Sequence, residues 1–291
     1  MSVTEAIFFS REFSPSVLIV KHHTIVLPHT GYTFGSTKLS VLLFEKNDGI
    51  ATLTFNRPEK RNALSLELRT LFQEAIHDIH DDPDIGVVIL TGVGKAFTAG
   101  MDLKEMADPD FKEDRNIMDP GKLLRSLKQP VIAAVNGLAV TGGIEISVSC
   151  DIILATTETQ FADTHAQVGI VPAWGLSQRL SRTIGIFRAK ELSLTGNYIS
   201  AQQAYDWGLV NRVVSSEGLM PTAISLAKDM LSCVPAAMFQ YKRMIDGGYD
   251  LTLKEGMEFE LEMSRQHQSP SADDVAKRRA HVQNRGKDQS D

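Results

Sequence analysis

Cysteine is nearly absent: the 291-residue chain holds two, Cys150 and Cys233. They make neither a disulfide framework nor the paired spacing of a zinc site, and their apolar neighbours predict small buried hydrophobes. Positive charge is also in deficit, with 30 Lys and Arg against 36 Asp and Glu and a net charge of -6. That balance excludes broad nucleic-acid binding, which needs a basic face. No apolar run approaches the length of a membrane span, so no membrane association is expected. The run Val17-Leu18-Ile19-Val20 is too short for a signal-peptide core and is interrupted at once by Lys21, His22 and His23. The first twenty residues, with one Arg and two Glu, fit a transit peptide poorly. Residues 1–38 are therefore expected to be an N-terminal extension without a targeting role. The expected location is cytoplasmic, with a mitochondrial one left open. No fixed-period repeat or low-complexity segment is present. What remains is an ordinary globular composition, 43% apolar and 23% charged, long enough for one large or two modest domains.

From Val41 the pattern becomes regular. Ile50 to Phe55 alternates as a strand does and ends at the turn signal Asn56-Arg57-Pro58. Ser65 is placed to cap a helix in which Leu68, Leu71, Phe72, Ala75, Ile76 and Ile79 recur at helical spacing. Val87 to Leu90 reads as a buried strand, 108–121 as a loop or mobile helix, 130–136 and 151–155 as further strands. Strands and helices in succession predict an α/β fold with largely parallel strands. After Ser181 the pattern turns helical. Ser200 caps a short helix closed at Gly208, 209–214 resembles a last strand, and helices fit 217–231, 235–246 and 251–267. Gly247-Gly248 is expected to break the last two apart. The tail from Ser269 is polar and carries a basic run.

The most informative stretch is the strand Pro130 to Asn136 running into Gly142-Gly143-Ile144-Glu145, followed by Phe161-Ala162-Asp163-Thr164-His165. It describes a strand, a tight glycine turn, and a helix with a carboxylate in its first turn. Backbone N–H groups at a helix start are unpaired, so such a turn can hold an anion beside that carboxylate. An anion site next to a base suits chemistry that builds negative charge on a carbonyl oxygen.

These residues belong to a longer series of motifs: Asn56-Arg57-Pro58-Glu59-Lys60-Arg61-Asn62-Ala63-Leu64, Lys95 to Leu103, Ala133 to Gly137, Gly142 to Glu145, Cys150-Asp151-Ile152, Gln178-Arg179-Leu180, and Ala204 to Val210. In this order, from about Val41 to the end, the chain resembles the crotonase superfamily, the enoyl-CoA hydratases and isomerases. The resemblance implies a crotonase-like spiral of ββα repeats over 39–214 and a C-terminal helical trimerisation region over 215–291. It further implies an acyl-CoA substrate, a homotrimer or dimer of trimers, and no cofactor beyond the coenzyme A of the substrate.

By the same resemblance, the backbone N–H groups of Met101 and Gly142 form an oxyanion hole for the thioester as it becomes an enolate. Thr141 stands where the family has the first glycine of its run, and a β-branched residue tolerates positive φ badly, so either this position is not left-handed or the turn is reshaped, with only a small shift expected. Glu145 matches the glutamate that activates water. His165 stands where a hydratase has its second glutamate, the one that protonates the α-carbon, and imidazole can exchange protons near neutrality. Asp163 can orient that imidazole if the segment is extended. Ala173 replaces a glycine, and the bulky Trp174 shapes the acyl pocket. Ala63, Ala99, Asp102 and Leu103 supply an adenine slot. Lys60, Lys95 and Lys104 lie on the loops matching those that supply cations for the phosphates, Lys277 matches a lysine that reaches a neighbouring subunit's ligand, and Glu59 replaces a lysine found in some relatives. The expected activity is addition of water to a trans-2-enoyl-CoA. The alternatives are double-bond isomerisation, thioester hydrolysis with His165 activating water, or acyl-CoA binding with little turnover.

Overall fold

The structure, a computed structural model, describes residues 40–110 and 117–288; the N-terminal extension expected over 1–38 lies outside the described residues. The chain divides into two compact units, one ending at Ser232 and the other beginning at Cys233.

The first unit starts with an antiparallel hairpin of β1 (Leu42–Asn47) and β2 (Ile50–Phe55). Helix α1 (Leu66–Asp81) follows, capped as expected by Ser65, whose hydroxyl accepts from the Leu68 N–H. Its Leu68, Phe72, Ala75, Ile76 and Ile79 are buried along one stripe. The chain then repeats a pattern. β3 (Val87–Gly92) leads to β4 (Ala96–Thr98), α2 (Leu103–Met106) and α3 (Pro120–Ser126). β5 (Val131–Val135) leads to β6 (Leu138–Val140) and α4 (Gly142–Ser147). β7 (Ile152–Thr156) leads to β8 (Gln160–Ala162), α5 (His165–Val168), α6 (Leu176–Ile184) and α7 (Ile186–Thr195). β9 (Ile199–Ser200), α8 (Ala201–Asp206), β10 (Arg212–Val214) and α9 (Leu219–Leu231) complete the unit.

The first strand of each pair joins a six-stranded sheet, ordered β1-β2-β3-β5-β7-β10, and the second joins a four-stranded sheet, ordered β4-β6-β8-β9. From β2 onward the larger sheet is parallel throughout. Each turn thus lays a strand in both sheets and returns through helix, the ββα spiral expected.

The central strand shows why its sequence is an unbroken apolar run. On β5, Val131, Ala133 and Val135 face the main core, while Ile132 and Ala134 face a second cluster with Ile50, Val87, Ile89 and Leu154. That second cluster is closed by Leu219, Ala223 and Ala227 of α9. A strand covered on both faces has no use for polar alternation. Because α9 packs on the sheet, the division between units falls after Ser232 and not at 214.

The second unit comprises α10 (Pro235–Tyr249), α11 (Leu253–Gln266) and α12 (Ala272–Asp288). The break expected at Gly247-Gly248 is not there: α10 runs through both glycines, and the chain turns at 250–252 instead. Gly247 serves helix packing, since a Cβ there would lie 2.8 Å from the ring of Phe259 on α11. The turn is completed by a reciprocal cap, with the Thr252 hydroxyl accepting from the Glu255 N–H and the Glu255 carboxylate from the Thr252 N–H. Cys150 packs against the core as expected, but Cys233 is exposed, on the short stretch joining α9 to α10.

Candidate active site

Two loops of the first unit meet backbone to backbone. Gly100 has φ +85°, and a Cβ on it would lie 2.8 Å from the Gly142 nitrogen and 3.0 Å from the Val140 carbonyl oxygen. A Cβ at Gly143 would lie 2.4 Å from the Thr98 carbonyl oxygen. Only glycines let the start of α4 come this close to the end of β4. Beside them, Leu64 and Met101 form a parallel bridge: the Leu64 N–H donates to the Gly100 carbonyl at 2.8 Å and the Asp102 N–H to the Leu64 carbonyl at 3.4 Å. In a parallel bridge the middle residue's own N–H points the other way. Among the described residues, neither the Met101 N–H nor the Gly142 N–H has an acceptor. The Trp174 ring lies over Gly142, with its Cζ3 3.0 Å from where a Cβ would stand.

Thr141, just before Gly142, has φ 55° and ψ -105°. The positive φ expected of a glycine is therefore kept by a β-branched residue, at a cost on the order of 1–3 kcal/mol. Two hydrogen bonds hold it: its N–H donates to the Ala162 carbonyl at 2.8 Å, and its hydroxyl lies 2.6 Å from that of Thr164.

Glu145, in the first turn of α4, is 2% exposed. Its Oε1 accepts from the Trp174 N–H at 3.1 Å, and its Oε2 lies 3.5 Å from Nε2 of His165. On the far side of the imidazole, Nδ1 is 2.6 Å from Asp163 Oδ1, which also accepts from the His165 N–H at 3.2 Å. The contact expected from an extended segment is made by a turn instead, at the entrance to α5. Burial lowers the His165 pKa, but the hydrogen bonds and charges of Asp163 and Glu145 outweigh it and raise it from the ordinary 6.5 to about 9. Burial likewise pushes the Asp163 carboxyl up, and hydrogen bonds from His165 and Ser193 more than reverse this, leaving it below its ordinary range. The imidazole is thus an imidazolium at neutral pH, its Nδ1–H committed to Asp163 and its Nε2–H directed at Glu145. Protonation of His165 also stabilises the fold. That contribution is full below the ordinary value of 6.5 and is lost as pH rises through about 9.

The residues matched to an adenine slot also come together. The Ala99 N–H donates to the Arg61 carbonyl at 3.0 Å, and Arg57 bridges the loops, donating to the Ala63 carbonyl at 2.5 Å and to Asp102 at 3.1 Å. Asp102 caps α2, accepting from the N–H groups of Lys104 and Glu105. Burial pushes its carboxyl up, and the Arg57 and backbone hydrogen bonds bring it below its ordinary range. Leu103 is 51% exposed, and Lys60, Lys95 and Lys104 are exposed on the same loops. Lys277 is exposed on α12 of the second unit.

Sequence reasoning missed three contacts. Trp174 holds Glu145 through its backbone N–H, where a role only for its ring was expected. Arg125 donates to the Ser149 hydroxyl at 2.9 Å, and that hydroxyl donates to the Glu145 carbonyl at 2.8 Å. Thr164 pairs with Thr141. No residue-type signal marks the first or the last, since each depends on backbone direction. Among the described residues, no cluster of His, Cys, Asp and Glu could hold a metal ion, and no helix is long and apolar enough to cross a membrane.

A ββα spiral in which two unpaired N–H groups from touching glycine loops lie near a buried carboxylate and an imidazolium defines a class of protein suited to charge on a carbonyl oxygen. Residues 45–285 match the family model described as enoyl-CoA hydratase/isomerase. A probable mitochondrial enoyl-CoA hydratase of Dictyostelium discoideum is 38% identical over 75% of this chain and 80% of its own length. Among solved structures, enoyl-CoA hydratase subunit I from Geobacillus kaustophilus superposes with TM-score 0.72 at 35% identity, over 78% of this chain and 89% of that one. A monofunctional enoyl-CoA isomerase from M. smegmatis gives TM-score 0.65 at 33% identity, over 75% and 98%. The chain belongs to the enoyl-CoA hydratase/isomerase family.

Proposed function

We propose that the protein is an enoyl-CoA hydratase-like lyase that adds water to a trans-2-enoyl-CoA through an enolate held by the Met101 and Gly142 N–H groups. The observation that carries the acid–base half is the imidazolium of His165 set between Asp163 and Glu145. Glu145 takes a proton from water as the oxygen attacks the β-carbon, and charge moves onto the thioester oxygen. The enolate then takes the Nε2 proton of His165 at the α-carbon, so that His165 does the work of a second glutamate. A proton passing from Glu145 to His165, across their 3.5 Å separation, resets the pair. No step needs a cofactor. The exposed Leu103, Lys60, Lys95 and Lys104 fit the coenzyme A role, Lys277 is read as a contact to a neighbouring subunit's ligand, and the Trp174 ring borders the acyl pocket. Apolar residues exposed on α10 and α11, among them Tyr241, Ile245, Met257 and Leu261, support assembly as a homotrimer or dimer of trimers.

Thioester hydrolysis with His165 activating water is disfavoured, because an imidazolium has no lone pair to accept the proton. Isomerisation is the second reading, favoured by the likeness to the M. smegmatis isomerase and by two proton carriers on one enolate. Crotonyl-CoA and a 3-enoyl-CoA given to the wild type, His165→Ala and His165→Glu separate these outcomes. The wild type is expected to hydrate crotonyl-CoA, His165→Ala to lose about 100-fold or more in kcat, and His165→Glu to retain more of it than His165→Ala. No hydration above background by the wild type would sink the lyase reading, and conversion of the 3-enoyl-CoA alone would establish the isomerase.

A further inference from the structure

Thr141 and Thr164 occupy equivalent places. Each is the residue that caps a short helix, Thr141 before α4 and Thr164 before α5, and neither side chain accepts from its own helix. A threonine at a helix start ordinarily turns its hydroxyl back onto the N–H groups of the first turn. Here both hydroxyls are turned to one another, 2.6 Å apart. The pair spans the two halves of the site: the residue after Thr141 is Gly142, and the residue after Thr164 is His165. The backbone adds a second tie, from the Thr141 N–H to the Ala162 carbonyl at 2.8 Å. The positive φ of Thr141 is unfavourable for a β-branched residue, and it is held where these two bonds converge.

We propose that the Thr141–Thr164 hydroxyl pair is a positioning clasp that fixes the Gly142 N–H relative to the His165 imidazolium. The inference rests on the enolate reading of the site given above. It has two physical parts. Tying Thr141 through its hydroxyl to Thr164 and through its N–H to Ala162 fixes the residue that carries the peptide into Gly142, so the Gly142 N–H keeps its direction. Joining the turn to the α5 entrance sets the distance between the group that stabilises the enolate and the group that protonates it. Neither threonine touches the reacting atoms; both act through their neighbours. A loss of geometry of this kind is felt in the transition state and not in ground-state binding.

The test uses Thr164→Val, which removes the hydroxyl at nearly constant shape, Thr164→Ser, which restores it, and Thr141→Gly, which removes hydroxyl and backbone strain together. Two readouts are taken: crotonyl-CoA hydration, and the enolate absorbance of bound acetoacetyl-CoA. Thr164→Val is expected to lose about 10- to 100-fold in kcat with KM within about 3-fold, and to show a weaker enolate signal. Thr164→Ser is expected to stay within about 3-fold of the wild type. Thr141→Gly is expected to keep or raise the thermal midpoint while still losing kcat, a divergence that a purely structural role does not give. Wild-type kcat and enolate signal in Thr164→Val would overturn the clasp, as would an equal loss in Thr164→Ser. A wild type that enolises acetoacetyl-CoA without hydrating crotonyl-CoA would overturn the hydratase reading alone, and the clasp would then stand or fall on the enolate signal of Thr164→Val. A wild type that does neither overturns both.

Discussion

Glu145→Gln is expected to lower kcat for crotonyl-CoA hydration by about 100- to 10,000-fold, with the fold intact. The amide has the size of the carboxylate, and its oxygen can still accept from the Trp174 N–H that holds Oε1 at 3.1 Å. What is lost is the ability to take a proton from water. A second effect follows from the same change. One of the two anions that raise the His165 pKa disappears, so the imidazolium is held by Asp163 alone and its pKa falls from about 9. Both are read from kcat and its pH dependence, with circular dichroism and a thermal midpoint to show that the site alone has changed. A Gln variant within about 3-fold of the wild type would remove Glu145 from the chemistry.

Gly143→Ala is expected to be nearly as damaging, by geometry instead of proton transfer. Its Cβ would stand 2.4 Å from the Thr98 carbonyl oxygen, a backbone atom of β4, so α4 or β4 must move. Thr98 is itself tied in: its hydroxyl donates to the Asn62 carbonyl at 2.7 Å and accepts from the Gly100 N–H at 3.1 Å. Displacing β4 therefore carries Gly100 and the Met101 N–H with it. A shift near 1 Å can cost about 100-fold in rate, and overpacking of this kind about 1–3 kcal/mol in stability. Urea denaturation and kcat/KM on the same preparation measure the two. An alanine variant with normal stability and normal kcat/KM would mean that the two loops do not pack as closely as described.

The parts of the molecule that follow a period were legible in the sequence. β5 declares itself because both its faces are covered, and α1 because its apolar stripe and its Ser65 cap agree. The glycines before Glu145 marked the turn. What the sequence could not convey is direction. Gly247 reads as a helix stop, yet its missing side chain makes room for Phe259 within a continuing helix. β4, β6 and β8 are three residues each, too short for alternation to register. Asp163 and His165 meet through a turn, and Trp174 serves Glu145 by its backbone, neither of which a side-chain pattern encodes. Thr141 argues against a left-handed turn by type, and only the surrounding hydrogen bonds impose one.

The central claim, that His165 is a proton donor held charged by its neighbours, is tested most directly by the pH dependence of kcat/KM for crotonyl-CoA hydration in the wild type and Asp163→Asn. This quantity follows ionisation of the free enzyme. If the Nε2 proton is delivered to the α-carbon, the wild-type rate holds through neutrality and falls as pH rises through about 9. Asp163→Asn, which removes the carboxylate 2.6 Å from Nδ1, moves that fall to lower pH. A rate that instead rises as pH passes through the ordinary histidine value near 6.5, or a basic limb unmoved in Asp163→Asn, would contradict it.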